Sequence, residues 1–432
     1  MTELPPLPFQ ARREIILSRL EGGSMVLPAA PVQFMGGDSE YRYRPDSELL
    51  YATGWAAPNC VAVLRGFADE DRFVLFVPER DARAELWMGP RLDLEEVKER
   101  FGADAVHPLR QLAERGPRLI AGGDTVHYRL GASAGCDGVV REALRRGRVQ
   151  RARRGAGAHV LADPGAVLDR MRVRKDEAEI ARMRKAARIT VEAFRDALPE
   201  VQAGAGEWEV EAALESGFRR RGAGGPAFAT IVAAGANACT LHYAANGSRI
   251  EADDLVLVDA GAEYGWYAAD ITRTVPASGQ LDGARREAHE VVQQARRAAL
   301  AACRPGGTVE EVHLEASRAI AGGLVGMGVV AGPVEEVLAE GRHRDFYPHQ
   351  TSHWLGLDTH DPGLYRGRDG PVRFEPGMVF TVEPGLYFAP GSCPRVPELE
   401  GTGIRIEDDV LITDNGAEVL TGGLPVGVGD GG

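Results

Sequence analysis

Cysteine is scarce in this 432-residue chain: Cys60, Cys136, Cys239, Cys303 and Cys393 are widely spaced and never form a Cys-x-x-Cys. That spacing excludes a disulfide frame or a zinc knuckle and fits reduced thiols in a cytoplasm. No apolar run approaches the roughly 18 residues of a membrane span, and the start, Met-Thr-Glu-Leu-Pro-Pro-Leu-Pro, lacks a basic-then-apolar leader. A cytoplasmic location with no membrane partner is therefore expected. Lysine is almost missing: Lys98, Lys175 and Lys185 stand against 47 arginines, a bias that a GC-rich genome explains. Basic charge as a whole falls short, with 50 Lys and Arg against 63 Asp and Glu and a net charge of -13. A phosphate backbone demands the opposite balance, so nucleic acid is not expected as a partner. What is present is 44% hydrophobic residues, enough for a sizeable core, over a length that suggests two domains.

Residues 1–160 alternate short apolar runs with helical patterns. Residues 60–64 and Phe73–Val77 read as buried strands and 92–101 as a helix, so an α/β N-terminal domain is predicted. Residues 145–157 (Arg-Arg-Gly-Arg-Val-Gln-Arg-Ala-Arg-Arg-Gly-Ala-Gly) are basic and without apolar periodicity, and read as a linker. A second domain is predicted over 169–432. Its first helix, 174–198, carries Ile180, Met183, Ala187, Val191 and Phe194 on one stripe. A helix over Glu207–Arg220 and strands near 229–233 and 255–274 follow. The same order then recurs: a helix at 285–303, another opening at Thr308 with capping-box spacing to Glu311, and strands at 378–383 and 404–412. Two helix-helix-strand-strand units predict a pseudo-symmetric α+β domain, a curved antiparallel sheet backed by helices.

One acid, Asp259, sits in the apolar run Leu255-Val-Leu-Val-Asp-Ala. A two-residue turn at Tyr264-Gly265 places it directly opposite Asp270. Carboxylates that close repel unless a proton or a cation lies between them. Farther on, Glu383 ends the run Val-Phe-Thr-Val-Glu, and Glu407 is placed in a β-branched strand. Between the two pairs lie His349, His353 and His360, three of the chain's ten histidines within a dozen positions. Four carboxylates and one imidazole form a hard ligand set, suited to manganese, cobalt or iron(II). They exceed what one divalent ion needs, which points to two ions and to hydrolysis by a hydroxide between them.

Asp259, Asp270, His353, Glu383 and Glu407, in that order and context, resemble the pita-bread metallopeptidases. The strings Asp259-Ala-Gly, Asp270-Ile-Thr-Arg-Thr, Ser352-His-Trp-Leu-Gly-Leu-Asp-Thr-His-Asp, Val382-Glu-Pro-Gly-Leu-Tyr and Gly403-Ile-Arg-Ile-Glu-Asp-Asp resemble the bacterial Xaa-Pro aminopeptidases (aminopeptidase P) among them. The resemblance implies the pita-bread fold with a pseudo-two-fold repeat, and two divalent ions, manganese first, with cobalt, iron or zinc as alternatives. It implies that Asp259 and Asp270 hold one ion, that Asp270 and Glu407 bridge to the second, and that His353 and Glu383 complete the set. It further implies Glu383 as proton shuttle, His242 beside the leaving proline nitrogen, His349 and His360 on the substrate carbonyl and proline, and Arg405 and Tyr387 as orienting partners. Trp87 in Ala-Glu-Leu-Trp-Met-Gly resembles a tryptophan that enters a neighbouring subunit's cleft, which implies a homodimer or homotetramer. An ordinary core tryptophan is the alternative.

Two positions depart from the family. Phe228 stands where a tyrosine is usual, and Glu400 replaces a usual arginine. If the Glu400 loop borders the cleft, its charge disfavours a substrate's terminal carboxylate and favours peptides longer than a dipeptide. The implied activity is hydrolysis of the N-terminal Xaa-Pro bond of proline-containing peptides. Alternatives are a prolidase acting on Xaa-Pro dipeptides, or a binding scaffold without metal.

Overall fold

The computed structural model describes residues 4–426. The described residues form two compact units, one of residues 6–171 and one of residues 172–426 with residues 4 and 5.

The N-terminal unit is α/β. Its sheet runs Ala105–Pro108, Phe73–Val77, Val61–Arg65, Ser24–Pro28, Thr125–His127, Val160–Ala162, with both parallel and antiparallel neighbours. Val63, Val74, Phe76 and Val126 pack with Ile120, Val139 and Val140 of the covering helices. The stretch read as a linker is instead the end of a 21-residue helix, Ala134–Arg154. Ser133 caps its start, Gly155 ends it in the left-handed region, and Val139, Val140, Ala143 and Gly147 form its buried side. Arginine is a good helix former, so the charge run decorates a helix anchored by its earlier turns.

In the second unit the predicted order of elements is present twice. Helices Glu177–Ala197 and Glu207–Arg220 precede the first strands, and Gly283–Ala302 and Val309–Gly326 precede the second. All five stripe residues of the first helix are buried. Thr308 accepts from the Glu311 backbone N–H at 3.1 Å, as its spacing predicts.

Each half contains a long hairpin that is broken midway. In the first, β1 (Leu255–Ala260) continues as β2 (Ala262–Tyr264) and returns as β3 (Tyr267–Ala268) and β4 (Ile271–Pro276). In the second, β5 (Val379–Val382) continues as β6 (Gly385–Phe388) and returns as β7 (Thr402–Arg405) and β8 (Asp408–Thr413). β1 pairs with β4, β2 with β3, β5 with β8 and β6 with β7, all antiparallel. Val256, Val258 and Ala260 pack against Phe194, Val210 and Leu214 of the helices. The two-residue period then turns Leu257 and Asp259 to the opposite face.

Two expectations are corrected here. The turn is Gly265-Trp266, both with positive φ (57° and 74°), not Tyr264-Gly265. Tyr264 therefore pairs with Tyr267, and Asp259 lies opposite Thr272 rather than Asp270. Glu407 is not inside a strand but in the break between β7 and β8. Asp270 and Glu383 occupy equivalent breaks, between β3 and β4 and between β5 and β6. At the first break a Cβ on Gly261 would overlap the Ala269 carbonyl, so only glycine admits the close backbone approach that swings Asp270 out of the ladder.

Candidate metal centre

The breaks open onto a cleft of about 580 Å³. Asp259, Asp270, His353, Glu383 and Glu407 all line it, together with His242, His349, His360 and Arg405. Donor atoms of Asp270, His353 and Glu407 lie within 4.8 Å of one another. His353 Nε2 is 3.6 Å from Asp270 Oδ2 and 3.6 Å from Glu383 Oε1. Its Nδ1 is 3.1 Å from the Trp354 carbonyl oxygen, the acceptor for that N–H. The tautomer so set leaves the Nε2 lone pair facing carboxylates, an arrangement that serves a cation.

The acids are buried and only partly paired. Asp259 Oδ2 accepts from Arg405 Nη2 at 2.6 Å, while Asp259 Oδ1 and Asp270 Oδ1 are buried with no hydrogen-bond partner among the described residues. Glu407 Oε2 accepts from the Thr272 hydroxyl at 2.6 Å. Burial, then the charges of Glu407 and Asp259, holds the Asp270 carboxyl far above the usual range. Burial, then Glu383 and Asp259, does the same to Glu407. Glu383 is pushed up to about 8, chiefly by burial, against the pull of Arg405. Orphaned carboxylate oxygens and mutual repulsion are the mark of a site built for positive charge. The residues therefore fit divalent ions, and the oxygen-rich set fits hard or borderline ones.

A chain of polar groups fixes one wall. Arg405 spans Asp259 and the Tyr387 hydroxyl, to which Nη1 donates at 2.8 Å, and Tyr387 lies 2.8 Å from His349 Nε2. His349 Nδ1 is 2.9 Å from the Gln350 carbonyl oxygen and 3.6 Å from Glu383 Oε2. Arg405 is thus a bridging partner inside the site, more than a strand ion pair. His242 and His360 are exposed in the cleft, and Phe228, Ile231 and Leu241 form an apolar wall. The Cys239 thiol is pushed up to about 11 by burial, which disfavours its thiolate form.

Trp87 belongs to the N-terminal unit. It is 81% exposed on helix Ala82–Met88, which has no buried residue, so it is not a core tryptophan. Glu400 does not line the cleft: its carboxylate accepts from the Gly391 N–H at 3.0 Å. Glu400 is therefore not placed to repel a substrate's terminal carboxylate. Sequence reasoning missed Thr272, which donates to Glu407 and accepts from Arg405 Nε at 3.2 Å. It also missed Asp409, whose two oxygens each lie 3.2 Å from the Asp270 backbone N–H. The available signal was the acid run Glu407-Asp408-Asp409 beside the polar alternation Asp270-Ile-Thr-Arg-Thr.

Known proteins resemble this chain over both units. Residues 181–414 match metallopeptidase family M24, and residues 9–127 match the aminopeptidase P N-terminal domain. The Xaa-Pro aminopeptidase of Escherichia coli K12 is 40% identical over 424 residues, 98% of this chain and 96% of that protein. That of Haemophilus influenzae is 32% identical over 100% of this chain and 97% of its own. Among solved structures, a Pseudomonas aeruginosa aminopeptidase superposes with a TM-score of 0.93 at 39% identity, covering 99% of this chain and 97% of its own. A zinc-substituted E. coli aminopeptidase P in complex with product superposes with a TM-score of 0.92 at 38% identity, with the same coverage.

Proposed function

The chain belongs to metallopeptidase family M24, and from that membership we propose that it is an Xaa-Pro aminopeptidase, releasing the residue that precedes proline at a peptide's N-terminus. The observation that carries this reading is the convergence of Asp270, His353 and Glu407 donor atoms within 4.8 Å in a histidine-lined cleft. Asp259, Asp270, His353, Glu383 and Glu407 would hold two divalent ions, manganese first on the chemistry of the donors. When bound, such ions acidify a water molecule and polarise the scissile carbonyl.

The remaining work falls to this chain's own groups. Glu383, with Oε2 3.6 Å from His349 Nδ1, is placed to take up and return a proton at the cleft floor. His242 and His360 stand free in the cleft to meet the substrate carbonyl and the leaving nitrogen. His349, braced by Tyr387, supports the same wall. Arg405 holds Asp259 in one orientation so that its second oxygen faces inward. The wall of Phe228, Ile231 and Leu241 receives apolar parts of the substrate. Phe228 has no hydroxyl to donate.

Under matched metal loading, Xaa-Pro-Yaa tripeptides should be cleaved faster than Xaa-Pro dipeptides, read as the ratio of kcat/KM. A ratio below one makes the chain a prolidase. The five cysteines are all free thiols, in keeping with a cytoplasmic location. Among the described residues no helix is long and apolar enough to cross a membrane.

We further propose that the protein acts as a homodimer or homotetramer. Leu86, Trp87 and Met88 are 81%, 81% and 61% exposed on one turn of helix, an apolar cluster that an interface would cover. Trp87 would then serve a neighbour's cleft. Sedimentation should show an oligomer, and a strict monomer with full turnover refutes the idea.

A further inference from the structure

The loop of residues 353–361 carries His353 at one end and His360 near the other, and the two ends are held in different ways. The front is zipped to β5: the Thr381 N–H donates to the His353 carbonyl at 3.0 Å, and the Leu355 N–H to the Val379 carbonyl at 3.1 Å. The rear instead wraps around a single carboxylate. Asp361 Oδ1 accepts from the Asp358 N–H at 3.1 Å, and the Asp361 N–H donates to the Trp354 carbonyl at 2.9 Å. A Cβ on Gly356 would sit 2.7 Å from the same carboxylate.

The charge of Asp361, 5% exposed, is met from outside the loop. Arg172 Nη2 lies 2.6 Å from Asp361 Oδ1 and 2.6 Å from Asp358 Oδ2, and Lys175 Nζ lies 3.2 Å from Asp361 Oδ2. Arg172 and Lys175 are 3% and 4% exposed. The Lys175 N–H donates to the Gly377 carbonyl at 2.8 Å, just ahead of β5, so both ends of the loop refer to one frame. Lysine is also the rare choice here. In a chain with 47 arginines, one of three lysines fills this buried position, where a compact point charge meets one oxygen and a planar fork is not used.

We propose that Lys175, Arg172 and Asp361 form a clamp of positioning residues that sets His360, and with it Thr359 and Asp358, against the substrate, while His353 is set by β5. The clamp acts through His360, whose ring packs edge-on against His353 with centroids 4.4 Å apart. It rests on the peptidase reading given above.

The test is a double-mutant cycle between Lys175→Met and His360→Ala on the full-length protein loaded with Mn²⁺, assayed on an Xaa-Pro-Yaa tripeptide. Lys175→Met leaves the Asp361–Arg172 pair intact, which favours a folded variant, and Asp361→Asn serves as the second probe of the clamp. A misplaced substrate-contacting group costs about 10- to 100-fold, so Lys175→Met should lower kcat/KM by that much. Mn²⁺ affinity, titrated directly, should stay within about twofold of the parent, and the double variant should be no worse than His360→Ala by more than about twofold. Losses that multiply, Mn²⁺ affinity that falls in parallel, or unchanged kcat/KM each overturn the clamp. If the parent cleaves no tripeptide the peptidase reading fails first. An active parent with multiplying losses sinks only the clamp.

Discussion

Asp270→Ala should empty the metal centre and abolish turnover together. Asp270 lies 3.6 Å from His353 Nε2, as near as Glu383, and shares the donor cluster with Glu407. Bound metal contributes several kcal/mol to such a hydrolysis, so turnover should fall at least about a thousandfold. Elemental analysis should drop from two ions per chain to fewer than one. Thermal stability separates this from simple unfolding. At about 100 times Kd, metal should stabilise the parent by about 2.7 kcal/mol per site and leave the variant unchanged. In metal-free protein the order reverses: the variant should melt higher than the parent, because one of several mutually repelling buried acids is gone. The backbone contact from Asp270 N–H to Asp409 does not depend on the side chain and should survive. Two ions retained by Asp270→Ala would falsify the ligand assignment.

The second large effect lies behind the site. Asp408, fully buried, accepts from Arg273 Nη2 at 2.9 Å, Arg296 Nε at 2.5 Å and the Thr421 hydroxyl at 2.6 Å. Arg273, 2% exposed, also donates to the carbonyls of Thr272, Glu407, Leu424 and Pro425. Asp408→Ala strands that buried cation, which costs about 3–5 kcal/mol. At roughly 2–4 °C per kcal/mol for a unit of this size, melting should fall by about 10 °C in calorimetry. Arg273→Met combined with Asp408→Leu should cost less than Asp408→Ala alone, since the fully buried cation goes with its partner and only Arg296, whose side chain is 13% exposed, loses its carboxylate. A loss below about 1 kcal/mol for Asp408→Ala would show that Arg273 finds another partner or water.

The helices and β1 were legible because each rests on a local signal, and the four carboxylates and the imidazole singled out in sequence do line one cleft. The Glu177–Ala197 stripe has the helical period, and Val256, Val258 and Ala260 alternate with Asp259 at the strand period. The hairpin turn was not legible, because Trp266 takes the positive φ that glycine and asparagine usually supply. Nor were the strand breaks: an apolar run continues through Ile404 and Ile406 whether or not the ladder stops at Glu407. The basic end of helix Ala134–Arg154 was misread because its buried side, apart from Gly147, lies in earlier turns. Lys175, Asp361, Arg273 and Asp408 look in sequence like surface charges. Only the tertiary structure shows that each is buried against its opposite.

The placing of acids at the breaks of two separate hairpins has a consequence for biosynthesis. Asp259 and Asp270 leave the ribosome more than a hundred residues before Glu383 and Glu407, and Thr272 meets Glu407 across 135 positions. A nascent chain ending before β5 holds Asp259, Asp270 and His353 but neither glutamate of the second hairpin. If these five residues hold the ions as proposed, the complete ligand set exists once nearly the whole polypeptide has been made, so full metal loading would follow folding of both hairpins rather than seed it. Truncated chains, lacking the closing acids, would be left without the ions' stabilisation and exposed to proteolysis.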